Sequence, residues 1–235
     1  MKAGPLRIKA GMIGKLLVVC ISGCGLTAAS ELTAARDRQD LAALDGLIAR
    51  YQKAAQAPDG QYTLALANSY AAEVALELRA KKKAEEYAQA AIDPAQKAVA
   101  ANGGNAEYHR LLGEICGQVI PANPVLGALK YGQCARDEIN KALQMDNKLA
   151  MAYVSRGVGN YYLPSSMGGG VDEAIKDFDK AISLDAKLSE AYLWKGVALR
   201  KANRNQEARQ ALEHAAQLNP ARLWTKQQLE KTPAH

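Results

Sequence analysis

The sequence has one phenylalanine, two tryptophans and three histidines among 235 residues, and aromatics make up 6% of it. Strands draw on aromatic and β-branched side chains to cover a pleated surface. Their scarcity, beside abundant alanine, argues against a β-rich core and for closely approaching helices. The fold class is all-α. Three histidines are too few for most catalytic schemes, and the zincin, nucleophile-elbow and phosphate-loop patterns are absent. No catalytic residue, metal or cofactor is expected, and the chain is read as not an enzyme. No Asp or Glu precedes residue 24, where Lys2, Arg7, Lys9 and Lys15 stand. With those four set aside, 26 basic residues face 24 acidic ones, so the net charge of +6 belongs largely to the terminus. Without a basic stripe the electrostatic term that dominates nucleic-acid binding is missing, and no nucleic-acid partner is expected.

The four basic residues precede "LLVVCISGCGLTAAS", an apolar run of signal-peptide length that is too short to span a bilayer. Met12 is an alternative start to Met1. Ile21-Ser22-Gly23-Cys24 resembles the lipobox of bacterial lipoproteins, which implies a lipid on Cys24 and, with Gly25 after it, the outer membrane. Ordinary cleavage after Ala29, with Thr27 also small, is the alternative and would leave a soluble periplasmic protein. The membrane enters through that anchor alone.

Farther along, spacing carries the information. In "SEAYLWKGVALRKANRNQEARQALEHAAQLNP" Tyr192 stands four residues before Gly196, with Ala208, Leu212, Ala215 and Pro220 beyond. Tyr153, Gly157, Ala174, Phe178, Ala181 and Ala186 repeat the pattern, as do His109, Gly113, Ala135, Ile139, Ala142 and Asn147. These landmarks resemble those of the tetratricopeptide (TPR) repeat, a pair of antiparallel helices stacked in series. The resemblance implies a right-handed superhelical solenoid with an extra helix at the N-terminus and a capping helix at the C-terminus. Gly and Ala let two helices approach at their crossing, and one hairpin cannot bury its own apolar stripe without neighbours.

The two alanines lie seven apart in each copy, and the step from a second alanine to the next glycine is fifteen in Ala98 to Gly113, Ala142 to Gly157 and Ala181 to Gly196. From glycine to first alanine the interval is 12 in the last copy, 17 in the middle and 22 in the first. That interval holds the bend between paired helices. "LPSSMGGG" and "GQVIPANPVLGALKYGQ" therefore read as enlarged turns, neighbours on one edge of the stack, presenting Val119, Ile120, Val125, Leu126, Leu163 and Met167.

Before Gly113 the pattern weakens. Residues 31–56 read as one amphipathic helix, followed by a degenerate hairpin in which Pro94 kinks or splits the second helix. The chain thus divides into a signal peptide of lipoprotein type (1–23), a linker (24–30), N-terminal helices with one degenerate repeat (31–104), three repeats (105–220), and a capping helix with tail (221–235). After export two cysteines are left, Cys116 and Cys134, flanking the first enlarged turn. They read either as a disulfide, worth about 3 kcal/mol for a loop of this size, or as two buried thiols.

The stripe beside the landmarks on each first helix lines the concave groove. It comprises Arg110, Glu114 and Gln118, then Met151, Val154, Val158, Tyr161 and Tyr162, then Leu193, Val197, Arg200 and Lys201. Glu114 and Val197 stand where a carboxylate-clamping TPR needs asparagine, so chaperone-tail binding is not expected. The functional expectation is a scaffold for a protein or peptide at the periplasmic side of a bacterial envelope. The alternative is a solute-binding component that works with a transporter.

Overall fold

The computed structural model describes residues 22–122 and 124–234. Eleven α-helices and no strand occur among them. Residues 1–21, with most of the expected signal peptide, lie outside the described residues. No described helix is long and apolar enough to cross a membrane.

Consecutive helices pair: α1 (Ser22–Asp37) with α2 (Leu41–Ala54), α3 (Pro58–Glu77) with α4 (Lys81–Ala101), α5 (Ala106–Ala122) with α6 (Pro124–Met145), α7 (Ala150–Tyr162) with α8 (Val171–Leu184), and α9 (Ser189–Lys201) with α10 (Asn205–Leu218). The last helix, α11 (Leu223–Glu230), packs on α10. The landmark residues stand at the crossings. A Cβ on Gly196 would lie 2.5 Å from Leu212 Cγ and 3.0 Å from the Ala208 carbonyl oxygen; one on Gly113 would lie 2.7 Å from Ile139 Cγ1. Ala135 also meets Gly113 through its carbonyl oxygen, and Ala142, Ala174, Ala181, Ala208 and Ala215 are fully buried.

Four expectations are corrected. The segment read as a linker, 24–30, is helical and belongs to α1, whose Ala28, Leu32 and Ala35 form a buried stripe. The single helix expected over 31–56 is a hairpin. Its bend puts Gln39 at φ +55, with Gln39 N donating to Arg36 O (2.9 Å) and Asp40 N to Ala35 O (2.9 Å), while Asp40 caps α2 by accepting from Ala43 N. The same pair of bonds closes α3–α4 at Arg79 and α9–α10 at Asn203, so the first hairpin bends as a repeat does. Of the kink or split expected at Pro94, the split does not occur: α4 continues through it, with Ala84, Ala88, Ala91, Ala95 and Ala98 buried on both sides.

The first insertion is not an enlarged turn. It lengthens both helices, making α5 17 residues and α6 22 against 13 and 14 in α9 and α10, with residue 123 alone between them. Pro124 suits a first helical position, where its missing N–H has no helical partner to lose. Cys116 and Cys134 join the lengthened pair by a disulfide, Cα to Cα 6.0 Å. The second insertion is a loop. A 3-10 turn, Ser165–Met167, is followed by Gly168 at φ +84 and Gly170 at φ +109, and a Cβ on Gly169 would stand 2.5 Å from Leu163 Cβ. "LPSSMGGG" breaks the helical pattern because the bend needs two left-handed residues and one close approach.

Candidate functional site

Of the twelve residues expected to line an open groove, Arg110, Val154, Leu193 and Val197 are interior. Val154 is 3% exposed and clusters with Ala174, Phe178, Ala191 and Ala198; Leu193 and Val197 are covered by Leu212, Ala215, Trp224 and Leu229. Helix α11 lies over the end of the stack and adds Trp224 and Leu229 to the cover of Leu193 and Val197, whereas Val154 is enclosed by α8 and α9. Arg110, also buried, donates from Nε to Glu107 Oε2 (2.7 Å), pairs with Glu114 and reaches Ser155 Oγ (3.2 Å). Gln118 accepts from Ser69 Oγ and donates to the Ser69 carbonyl. Arg110, Glu114 and Gln118 therefore tie α5 to its neighbours α3 and α7. Arg200 donates to the Gln228 carbonyl (3.0 Å) and Gln228 Oε1 (2.6 Å), holding α11 to α9.

Part of the expected stripe does reach the surface. Tyr162 is 56% exposed, with Tyr161, Val158 and Met151 half-buried. Tyr161 meets Tyr162 edge-on (centroids 4.9 Å) and Trp194 (6.0 Å), and Trp194 meets Trp224 (5.0 Å). Lys201 Nζ sits 4.1 Å from the Tyr161 ring centroid and donates to its carbonyl at 2.9 Å. The result is a half-open aromatic face with one cation on its edge.

Of the expected turn edge, Met167 is 69% exposed, and Leu163 and Ile120 are half-buried. Val119 is buried with Ala72 and Ala88, since it lies within α5 and not in a turn. The side chains of Val125 and Leu126 lie outside the described residues, as does that of Cys24, whose backbone starts α1. Two clefts are open rather than enclosed: one of about 570 Å³ lined by Gly168, Gly169, Gly170, Asp172 and Glu173, the other of about 370 Å³ between α1 and α2, lined by Glu31, Arg38 and Arg50. His109 is buried at its landmark, with Nδ1 against Glu138 and Nε2 at 3.1 Å from the Gly103 carbonyl oxygen.

Sequence reasoning missed a polar network that joins the two ends of the stack. Arg222 is 1% exposed and lies in the link between α10 and α11. Its Nη2 donates to Glu73 Oε1 at 2.7 Å, it pairs with Glu77, and Nη1 donates to Glu77 Oε2 at 3.1 Å. Its Nε lies 3.3 Å from Glu190 Oε1, and Glu190 also accepts from Arg36 Nη2 (2.9 Å). Arg36 pairs with Asp37, whose other oxygen accepts from Asn219 Nδ2 at 2.8 Å. Gln39 and Gln227 exchange hydrogen bonds beside it. Two guanidinium groups thus face four carboxyl groups. Burial pushes the Glu73 carboxyl up to about 8, opposed by Arg222 and Arg36 and reinforced by Glu77 and Glu190. Glu77 is pushed the same way by burial. Against the opposing effect of burial, the carboxylates around Arg222 hold it above the usual guanidinium range. The sequence carried one signal for this. The inter-repeat bends at Asp146 and Asp185 place Leu149 and Leu188 before the next helix, and the equivalent bend at Asn219 places Arg222 there.

Comparison with known proteins places the chain. A family model described as regulator of microtubule dynamics protein 1-3 matches residues 26–167, which is 142 of 235. No curated protein matches significantly. Among solved structures, TTC0263, a thermophilic TPR protein of Thermus thermophilus, is similar with a TM-score of 0.56 and 18% identity, over 89% of this chain and 94% of that one. The HusA haemophore from Porphyromonas gingivalis is similar with a TM-score of 0.54 and 19% identity, over 83% of this chain and 92% of that one. At these identities the likeness shows the fold, a TPR solenoid.

Proposed function

The chain belongs to the regulator of microtubule dynamics protein 1-3 family, and from that premise we propose that it is a non-enzymatic TPR scaffold for a protein or peptide partner. One observation carries the reading: Tyr161, Tyr162 and Trp194 form a half-open aromatic face at the end of α7, beside the loop that exposes Met167. Large aromatic side chains at the centre of a contact supply much of the energy of protein association. A solute-binding role would draw on an enclosed cavity. Both clefts are open, one lined mainly by glycines and polar residues and the other by Ala34, Ala35, Ala43 and Leu47 beside three charged groups, and openness favours a peptide or protein instead.

A photo-crosslinking residue at Tyr162 is expected to capture a partner that one at Glu86, on the exposed side of α4, does not, and Trp194→Ala is expected to abolish that adduct. Equal capture from both positions would end the reading.

The compartment belongs to the same proposal: the periplasmic side of a cell envelope, with the chain anchored through Cys24. Two features support it, the lipobox-like Ile21-Ser22-Gly23-Cys24 and the bridged Cys116 and Cys134, since disulfides persist where thiols are oxidised. Cys24→Ala is expected to move the protein from membrane to soluble fraction. Alkylation of cells before lysis is expected to leave Cys116 and Cys134 unlabelled. Labelling of both would remove the export reading in favour of a reducing compartment, where a role such as the family name describes would lie.

A further inference from the structure

The closure of the stack rests on one side chain that does not belong to the repeat. At Leu149 and Leu188 the bend before a first helix presents a leucine that packs between its own hairpin and the one before it. At Arg222 it presents a guanidinium that crosses the concave side and is 1% exposed among groups of α1, α3 and α9. A leucine would cap the solenoid at less desolvation cost, because taking ions out of water consumes most of what their attraction returns. The pocket is built around its occupant: Glu73 and Glu77, one turn apart on α3, grip the guanidinium from one side and Glu190 from another. Every fully buried side-chain nitrogen and oxygen among the described residues has a hydrogen-bond partner. Arg222 also stacks 5.7 Å from the Trp224 ring, which continues through Trp194 to Tyr161 and the half-open face.

We propose that residues 219–226 act as a tethered ligand, and that the concave pocket between α3 and α9 takes from a partner an arginine-bearing segment that displaces Arg222. This rests on the scaffold reading and adds the chemistry of the partner: a basic segment in which an arginine is followed by an apolar or aromatic residue, as Arg222 is by Leu223 and Trp224. Arginine is the group that fits, because its planar fork matches two carboxylates at once whereas a lysine ammonium does not. A tethered occupant acts at an effective concentration in the millimolar range and lowers the apparent affinity of a free competitor by the fraction of time it holds the pocket. The closed form is therefore the low-affinity state.

The test titrates the full chain carrying Arg222→Gln with the peptide NPARLWTK, the sequence of residues 219–226, and with the same peptide bearing glutamine in place of its arginine. Circular dichroism first establishes that helix content equals that of the unmutated chain. The arginine peptide is expected to bind Arg222→Gln at least about tenfold more tightly than the unmutated chain. The glutamine peptide is expected to gain nothing, and a further Glu77→Gln change to remove the gain. Equal binding of the two peptides, or no gain in Arg222→Gln, overturns the proposal. If Arg222→Gln does not fold, Arg222→Lys takes its place with the same peptides and the same outcomes, since it keeps the charge and loses the fork. The titration reads the pocket alone, so it can fail while crosslinks at Tyr162 persist, and those crosslinks can fail while the titration succeeds.

Discussion

The ring of Phe178 fills the space that a Cβ on Gly157 would need, with Cε1 2.5 Å and Cδ1 2.9 Å from that position. Two turns of different helices meet there because one of them has no side chain. Gly157→Ala is expected to cost about 1–3 kcal/mol, the usual range for overpacking a buried site. Gly159, two residues on and exposed, has nothing within 4 Å of its Cβ position. Gly159→Ala is expected to gain about 0.5–1 kcal/mol from helix propensity alone. Urea unfolding of both variants checks the opposite signs.

The bridge between Cys116 and Cys134 closes an 18-residue separation across the lengthened α5–α6 hairpin. Its loss is expected to lower stability by about 3 kcal/mol through the entropy of the unfolded chain. Urea unfolding of the oxidised protein and of Cys116→Ser/Cys134→Ser measures it. Equal midpoints with equal slopes would show that the bridge adds nothing.

Glu73 makes stability depend on pH in a direction opposite to that of an ordinary surface carboxylate. Its folded value is raised to about 8 from 4.5, so between those values the folded chain holds a proton that the unfolded chain has released. Its contribution is full below about 4.5, falls as pH rises through that window and is lost above about 8. The stability difference between the unmutated chain and Glu73→Gln should therefore shift in favour of the variant as pH rises from 5 to 8. A difference that does not change with pH would place the proton elsewhere in the network.

Arg222 and Glu77 should also be energetically coupled. Removing the arginine leaves buried carboxyl groups without their counter-ion, a strongly destabilising change, whereas neutralising Glu77 as well removes part of that penalty. A double-mutant cycle on Arg222→Gln and Glu77→Gln is expected to show a coupling of about 0.5–3 kcal/mol by thermal or urea unfolding. Additive effects would mean that the contact carries no interaction energy.

The helical class, the three hairpins after Asn105 and their crossings were legible because landmark spacing is the direct cause of helix approach. The bend at Gln39 was not, since a non-glycine residue in a left-handed conformation leaves no compositional mark; Asp40, the cap beside it, was the available signal. The insertion around Pro121 and Pro124 also misled. Proline read as punctuation, whereas one closes the last turn of α5 and the other opens the first turn of α6.

The amino-acid sequence by itself determined the repeat, because the two helices of a hairpin are close in the chain and a small residue at a fixed interval decides where they touch. Tertiary structure alone decided what the curved stack brings together. Arg222 and Glu77 are 145 positions apart, and no period in the sequence records that the last bend of the solenoid falls opposite α3. Packing against α10 and α11 turned Leu193 and Val197 of the expected groove into interior and left Tyr162 and its neighbours as a face still open to a partner.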